Sequence, residues 1–300
     1  MTIKTLLRQA QQEFQDINVA EYLLCGLANK KRAELYLDDS CVSSDLVIQF
    51  HNLLKNRKPN MPVQYLLHKA SFLSLELYVD ERVMIPRFET EELVIKTADR
   101  FKAQHINTTE AQRHKGTQRK NSVISEPPFL RGDINILDIG TGSGAIAIAL
   151  ADLFTRARVV ATDVSDEALV VAKINIKRYG FEEKIGLRKI DLFPALNTSF
   201  DLIISNPPYI PEDEIENLPP SVKNYEPCLA LNGGKNGFNI IKRIIEQAPN
   251  YLAPNGLLAL EIDSRQAELI LAISPVAQFE KDNQGLIRYA FIKNANGGVK

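Results

Sequence analysis

Net charge is nearly absent from this sequence: 36 lysines and arginines stand against 37 aspartates and glutamates, a formal balance of −1. Nonspecific attachment to nucleic acid or anionic lipid needs a surplus of positive charge, so both are disfavoured and only a local basic patch is left open. Cysteine is scarce. Cys25, Cys41 and Cys228 are odd in number, far apart and without a C-x-x-C pair, which speaks against a disulfide framework or a cysteine zinc site and suits a reducing cytoplasm. The four histidines, His51, His68, His105 and His114, form no H-E-x-x-H and no i, i+4 pair. They read as surface or satisfied core side chains rather than zinc ligands. No apolar run approaches the about 18 residues of a membrane span. The first twenty residues hold Glu13 and Asp16 but no apolar h-region or small-residue cleavage site, so an unexported, unprocessed cytoplasmic chain is expected.

What is present is ordinary globular composition, 45% hydrophobic and 24% charged over 300 residues. That length fits two domains of about 150 residues, or one large α/β domain with additions. From Ile3 to about Lys55, Leu6, Leu7, Ala10, Phe14, Ala20, Leu23, Leu24, Leu27, Leu35, Leu46, Ile48 and Leu53 recur at three- and four-residue steps, which predicts a small helical bundle. Asp38-Asp39-Ser40 and Ser43-Ser44-Asp45 supply caps and turns, and Pro59 with Pro62 punctuates the end. Ser71 to Ile85 reads as two extended segments joined by a turn at Asp80-Glu81, and Glu89 to Phe101 as a helix. Residues 103–132 are polar, with Arg113, His114, Lys115, Arg119 and Lys120 clustered. We take them as a linker or insertion rather than an RNA contact, since no aromatic residue interleaves the charges. The expected division is 1–70 helical, 71–132 hairpin, connecting helix and linker, and 133–300 an α/β domain.

In that last part strands at Ile134–Ile139, Arg158–Thr162, Phe200–Ser205, Leu257–Ile262 and Gly285–Ile292 alternate with helices near Ala145–Leu153, Asp166–Tyr179, Gly237–Ala248 and Arg265–Ile273. Alternation of this kind implies a parallel-rich, Rossmann-like sheet with ligands beyond the carboxyl ends of its strands. The first strand runs through Asp138 into Gly140-Thr141-Gly142-Ser143-Gly144 and then an apolar helix. This is a cofactor loop in its expected context, and the glycine spacing alone admits a dinucleotide as readily as S-adenosylmethionine. Asp138 separates them: a carboxylate repels a pyrophosphate but helps hold the ammonium of a methionine-like cofactor. Asp163, ending the next strand, can accept hydrogen bonds from both ribose hydroxyls, while Ser165 and Asp166 remain to cap the following helix. Asp191-Leu192 lies where an adenine would rest, offering an acceptor and an apolar face.

Ser205-Asn206-Pro207-Pro208-Tyr209 follows the apolar strand Asp201-Leu202-Ile203-Ile204. Two prolines fix φ and push Asn206 to an extended conformation, so the Asn206 side chain and the following carbonyls are held rigidly. That arrangement suits methylation of a planar NH₂ group. The Asn206 oxygen and the Pro207 carbonyl can bind its two hydrogens, and the Tyr209 ring can pack on the flat substrate group, so catalysis rests chiefly on orientation.

The chain here resembles the HemK/PrmC protein-glutamine methyltransferases. The resemblance rests on Ile85-Pro86-Arg87 with Glu89-Thr90-Glu91, the Asp138-to-Gly144 loop, Asp163, Asn206-Pro207-Pro208-Tyr209, Tyr225-Glu226-Pro227 with Gly233-Gly234, and Gly256 with Glu261. It implies a monomeric S-adenosylmethionine-dependent enzyme that methylates the glutamine of the Gly-Gly-Gln motif in class I peptide release factors, gripped by the amino-terminal helices, with neither nucleic acid nor membrane as partner. Phe88 stands where the family usually has proline, and Asp263 where it usually has glycine. Tyr225-Glu226-Pro227 either lines the pocket or ends a lid over residues 210–227, and the structural role is preferred. Other substrates for the same motif are a ribosomal-protein glutamine and adenine in DNA, and a noncatalytic release-factor binding module is the remaining alternative.

Overall fold

Helix α1 (Ile3–Phe14) begins where the Thr2 hydroxyl accepts a hydrogen bond from the Thr5 N–H, and it buries Ile3, Leu6, Leu7 and Ala10 along one face. Helices α2 (Ile17–Ala28), α3 (Arg32–Leu37), α4 (Ser44–Asn56) and α5 (Val63–Leu67) pack around it. Asp16 caps α2 and Ser43 caps α4, each satisfying one orphan amide of a first turn. Their shared core takes Ala20, Leu23, Leu24, Leu35, Phe50, Val63 and Leu66. Ile48, which follows the apolar period, is 57% exposed. A computed structural model of the chain describes residues 1–37, 40–113, 133–195 and 199–294; the turn expected at Asp38-Asp39 lies outside them.

The hairpin that follows is β1 (Ala70–Phe72) against β2 (Leu75–Leu77), antiparallel, with Leu73 at φ 52° in its turn. The turn expected at Asp80-Glu81 is therefore not the hairpin turn. Asp80 makes a separate turn, its carboxylate accepting from the Arg82 N–H, while the backbone of Tyr78 bonds the Asn175 side chain instead of a strand. Helix α6 (Phe88–Arg113) continues well beyond Phe101, where its apolar period stops. The rest of the polar stretch, 114–132 with His114, Lys115, Arg119 and Lys120, lies outside the described residues.

Strands β3 (Ile134–Ile139), β4 (Ala157–Asp163), β5 (Ile185–Lys189), β6 (Phe200–Ser205), β7 (Leu252–Glu261), β8 (Gln278–Lys281) and β9 (Ile287–Lys293) form one sheet in the order β5-β4-β3-β6-β7-β9-β8. The first five run parallel and the last two pair antiparallel. Helices α7 (Ala145–Leu153), α8 (Asp166–Arg178) and α6 cover one face, where Ile134 and Ile136 meet Ala147, Leu150 and Phe101. Two short helices, α9 (Pro220–Lys223) and α10 (Cys228–Leu231), precede α11 (Asn239–Gln247), which with α12 (Ala267–Ile273) covers the other face over Leu137, Ile139 and Ile203. Being covered twice explains why β3 is buried at five of its six positions. The chain leaves β3 toward β4 on one side and later returns to β6 on the other, so a crevice opens at their carboxyl ends. Among the described residues no helix is long and apolar enough to cross a membrane.

Candidate active site

Four strand ends converge on that crevice, a cavity of about 390 Å³. The loop after β3 contributes Gly140, Thr141, Gly142 and Ser143; β4 contributes Asp163; the segment after β5 contributes Asp191 and Leu192; the segment after β6 contributes Asn206, Pro207 and Pro208. Gly140 and Gly142 take φ of 69° and 53°, and their loop is tied to β4 by the Gly140 and Thr141 amides, which donate to the Thr162 carbonyl. Asp163 binds the same loop. Its Oδ2 accepts from the Gly142 N–H and its Oδ1 from the Ser165 N–H, both at 2.9 Å, while Ser165 itself caps α8. Each oxygen keeps a lone pair for a ligand hydroxyl. Asp191 is exposed and paired with Arg243 at 2.7 Å. Leu192 is held at φ 70°, where its carbonyl accepts from Thr162 Oγ1 at 2.9 Å. A left-handed leucine costs about 1–2 kcal/mol, and here it presents an apolar side chain to the cavity edge.

Three of the expected site residues do not line the cavity. Gly144 closes the loop, its amide donating to the Thr141 carbonyl at 2.8 Å. Asp138 lies beneath it, fully buried; Oδ2 accepts from Thr141 Oγ1 at 2.6 Å and the Ala147 N–H at 3.2 Å, and Oδ1 has no partner among the described residues. Burial pushes its carboxyl up to about 7. Tyr209 turns its ring into the core, and its hydroxyl donates to Glu261 Oε1 at 3.1 Å. It supports the loop from behind. Stacking on a flat substrate group would need the ring at the cavity lining, where this structure does not place it.

Asn206 is half-buried, and its Nδ2 donates to Thr90 Oγ1 at 2.8 Å. Among the described residues nothing donates to Asn206 Oδ1 or to the Pro207 carbonyl, and both residues line the cavity. Ser205 Oγ donates to the Ile139 carbonyl at 2.8 Å, and Gln266 Nε2 donates to the Tyr209 carbonyl at 3.0 Å, which fixes the segment at both ends.

Comparison with known proteins agrees with this geometry. A model described as "PrmC N-terminal domain" matches residues 3–67, and one described as "Methyltransferase domain" matches residues 130–294. The release factor glutamine methyltransferase of Bacillus anthracis is 31% identical over 94% of this chain and 87% of its own length, and that of Rhodopirellula baltica 35% over 81% and 75%. A relative of the same name in Gloeobacter violaceus is 39% identical over 71% of this chain, and the match spans 65% of that protein, just under two thirds. The chain belongs to the release factor glutamine methyltransferase family. The crystal structure of the hMettl16 catalytic domain in complex with an RNA hairpin shares the fold, with a TM-score of 0.53 and 14% identity, covering 86% of this chain and 84% of that one.

Both departures from the family's usual residues are locally accommodated. Phe88 is the first residue of α6, where proline is favoured because the amide is an orphan in any case, and phenylalanine leaves the helix start intact at 58% exposure. Asp263 caps the turn Ser264–Gln266 with its side chain, at φ −81°, in a backbone conformation that does not require glycine. Tyr225 donates to the Pro59 carbonyl and Glu226 pairs with Arg87, both structural contacts, whereas Pro227 of the same triplet lines the cavity. Arg82, Met84, Asn232 and Arg243 also line the cavity and carry no motif of their own. The only sequence hint for Asn232 is its place before Gly233-Gly234.

Proposed function

We propose that this protein transfers a methyl group from S-adenosylmethionine to the side-chain amide nitrogen of the glutamine in the Gly-Gly-Gln motif of class I peptide release factors. The carrying observation is the pair of unpartnered acceptors, Asn206 Oδ1 and the Pro207 carbonyl, on a proline-stiffened segment at the cavity wall. An amide NH₂ has two hydrogens to give and a delocalised, poorly nucleophilic lone pair. Accepting both hydrogens orients the nitrogen, and it also stabilises the positive charge that grows there as the new bond forms. A methylated amide cation is strongly acidic, so it loses its proton to a nearby acceptor or water and no dedicated base is needed.

The residues present fit the cofactor. Among the described residues Asp138 Oδ1 is a buried carboxylate oxygen without a partner, which a nearby ammonium, directly or through water, offsets. Asp163 has lone pairs for ribose hydroxyls, and Leu192 with Ile240 offers apolar surface for a base. When bound, the sulfonium supplies an electrophilic methyl. Adenine in DNA presents a similar NH₂, but a chain with a net charge of −1 lacks the field a duplex-reading enzyme uses.

The test is incubation with isotopically labelled S-adenosylmethionine and a class I release factor, followed by peptide mass spectrometry. One labelled methyl on the motif glutamine is expected. Methyl appearing on DNA and not on the release factor would replace this reading with the adenine one, and release-factor binding without incorporation would mark a noncatalytic module.

A further inference from the structure

Asn206 is useful only if its oxygen faces the substrate. An amide rotated by 180° would meet the substrate NH₂ with its own NH₂, donor against donor. The packing around the cavity contains a chain of hydrogen bonds that decides between the two. Glu261, at the end of β7, is 1% exposed, and its Oε2 accepts from Thr90 Oγ1 at 2.7 Å. Thr90, in the first turn of α6 and 4% exposed, has one hydroxyl proton. With that proton given to an ionised carboxylate, its oxygen offers only lone pairs. The Asn206 amide must therefore present Nδ2 to Thr90, as it does at 2.8 Å, which leaves Oδ1, on a residue that lines the cavity, to accept from a substrate. Tyr209, bonded to the other carboxylate oxygen at 3.1 Å, fills the remaining side.

We propose that Thr90 and Glu261 are positioning residues for the methyl transfer, setting the facing of the Asn206 amide through this directional chain. Neither need touch the reacting atoms. Three elements distant in sequence, the start of α6, the end of β6 and the end of β7, are brought together for it, with Thr90 and Glu261 separated by 171 residues. A hydroxyl that merely filled space would be replaceable by a methyl; one that passes direction would not.

The proposal rests on glutamine methylation as the reaction, so the wild type is assayed first in single turnover at saturating S-adenosylmethionine and a class I release factor. No methyl on the release factor overturns both readings. With transfer established, Thr90→Val, which keeps shape and removes the hydroxyl, is expected to lower the maximal rate about 10²-fold, the effect of losing one positioned hydrogen-bonding group. Its half-saturating release-factor concentration should change by less than about threefold, because the acceptor holds the amide hydrogens more strongly in the transition state than in the ground state. Thr90→Ser restores the hydroxyl and should return the rate to within about fivefold of wild type. A Thr90→Val enzyme at the parental rate, a Thr90→Ser enzyme as slow as Thr90→Val, or a Thr90→Val enzyme that no longer binds S-adenosylmethionine in calorimetry each overturns the positioning role while leaving the methylation itself standing.

Discussion

Asp163 and Asn206 share one cavity but answer to different partners, and their replacements should separate accordingly. Asp163→Ala removes a carboxylate that both holds the Gly142 amide and is placed for ribose hydroxyls. Losing charge-assisted hydrogen bonds should weaken cofactor affinity by about 10- to 100-fold in titration calorimetry. Asn206→Ala leaves cofactor binding comparatively intact and should cut single-turnover transfer by about 10²–10³; transfer at the parental rate would remove Asn206 from the mechanism. Glu261 adds a pH dependence. Burial pushes its carboxyl up to about 7, with Glu89 of α6 adding to the rise and the hydroxyls of Thr90 and Tyr209 and the Arg288 guanidinium opposing it; Tyr289 of β9 stands near. Below that value Glu261 gains a proton and can itself donate to Thr90, which frees the Thr90 hydroxyl to turn the Asn206 amide. Maximal transfer should thus fall as pH is lowered through about 7, and in Thr90→Val this step should be missing from the profile.

At the scale of elements, the segment after β6 is held by a second one that covers it. The Gly237 backbone, at φ 66°, lies against the Tyr209 carbonyl so closely that an added Cβ would stand 1.9 Å from that oxygen. Gly237→Ala combines overpacking with a left-handed alanine and should cost about 2–5 kcal/mol, read as a lowered denaturation midpoint at unchanged slope. Unchanged stability would mean that the two segments are free to separate. The sequence shows the local parts of this arrangement plainly. Ile134–Ile139 and Phe200–Ser205 match the strands residue for residue, because short segments dense in isoleucine and leucine between turn signals have few other solutions. Edge strands β5 and β8 are faint, since Gln278–Lys281 contains one apolar residue, Phe279. The hairpin turn at Leu73 is hidden because leucine carries no turn signal, whereas Asp80 does. Tyr209 is legible as part of a motif, but its direction is set by Glu261 from β7, a tertiary contact that no local pattern encodes.

The amino-terminal helices are fastened to the catalytic body by a small set of unlike contacts. Tyr65 of α5 and Val83, Ile85, Ala168 and Val171 form one apolar cluster, with the Tyr65 hydroxyl donating to the Val83 carbonyl at 2.5 Å. Beside it Tyr225 reaches the Pro59 carbonyl at 2.7 Å, and Arg87 pairs with Glu226. That pair is unequal. The Glu226 side chain is 1% exposed and its Oε2 has no partner among the described residues, while Arg87 is 36% exposed. Burial raises the Glu226 carboxyl above the usual glutamate value even though Arg87 opposes the rise. A raised carboxyl contributes stability that is complete below the unfolded value, near 4.5, and lost as pH climbs through the folded one. Removing Arg87 lifts the folded value further and strands a buried charge. From about pH 4 to pH 8 the deficit of Arg87→Ala should therefore grow, from a mild one where Glu226 is protonated with or without Arg87 to about 3 kcal/mol where its unpaired charge is stranded. Thermal unfolding of wild type and variant across that range measures it. In the Arg87→Ala, Glu226→Gln double variant the deficit should no longer grow with pH, since no carboxyl remains to titrate; a deficit in Arg87→Ala that stays flat from about pH 4 to pH 8 would show that Arg87 acts by packing its stem, not by its charge.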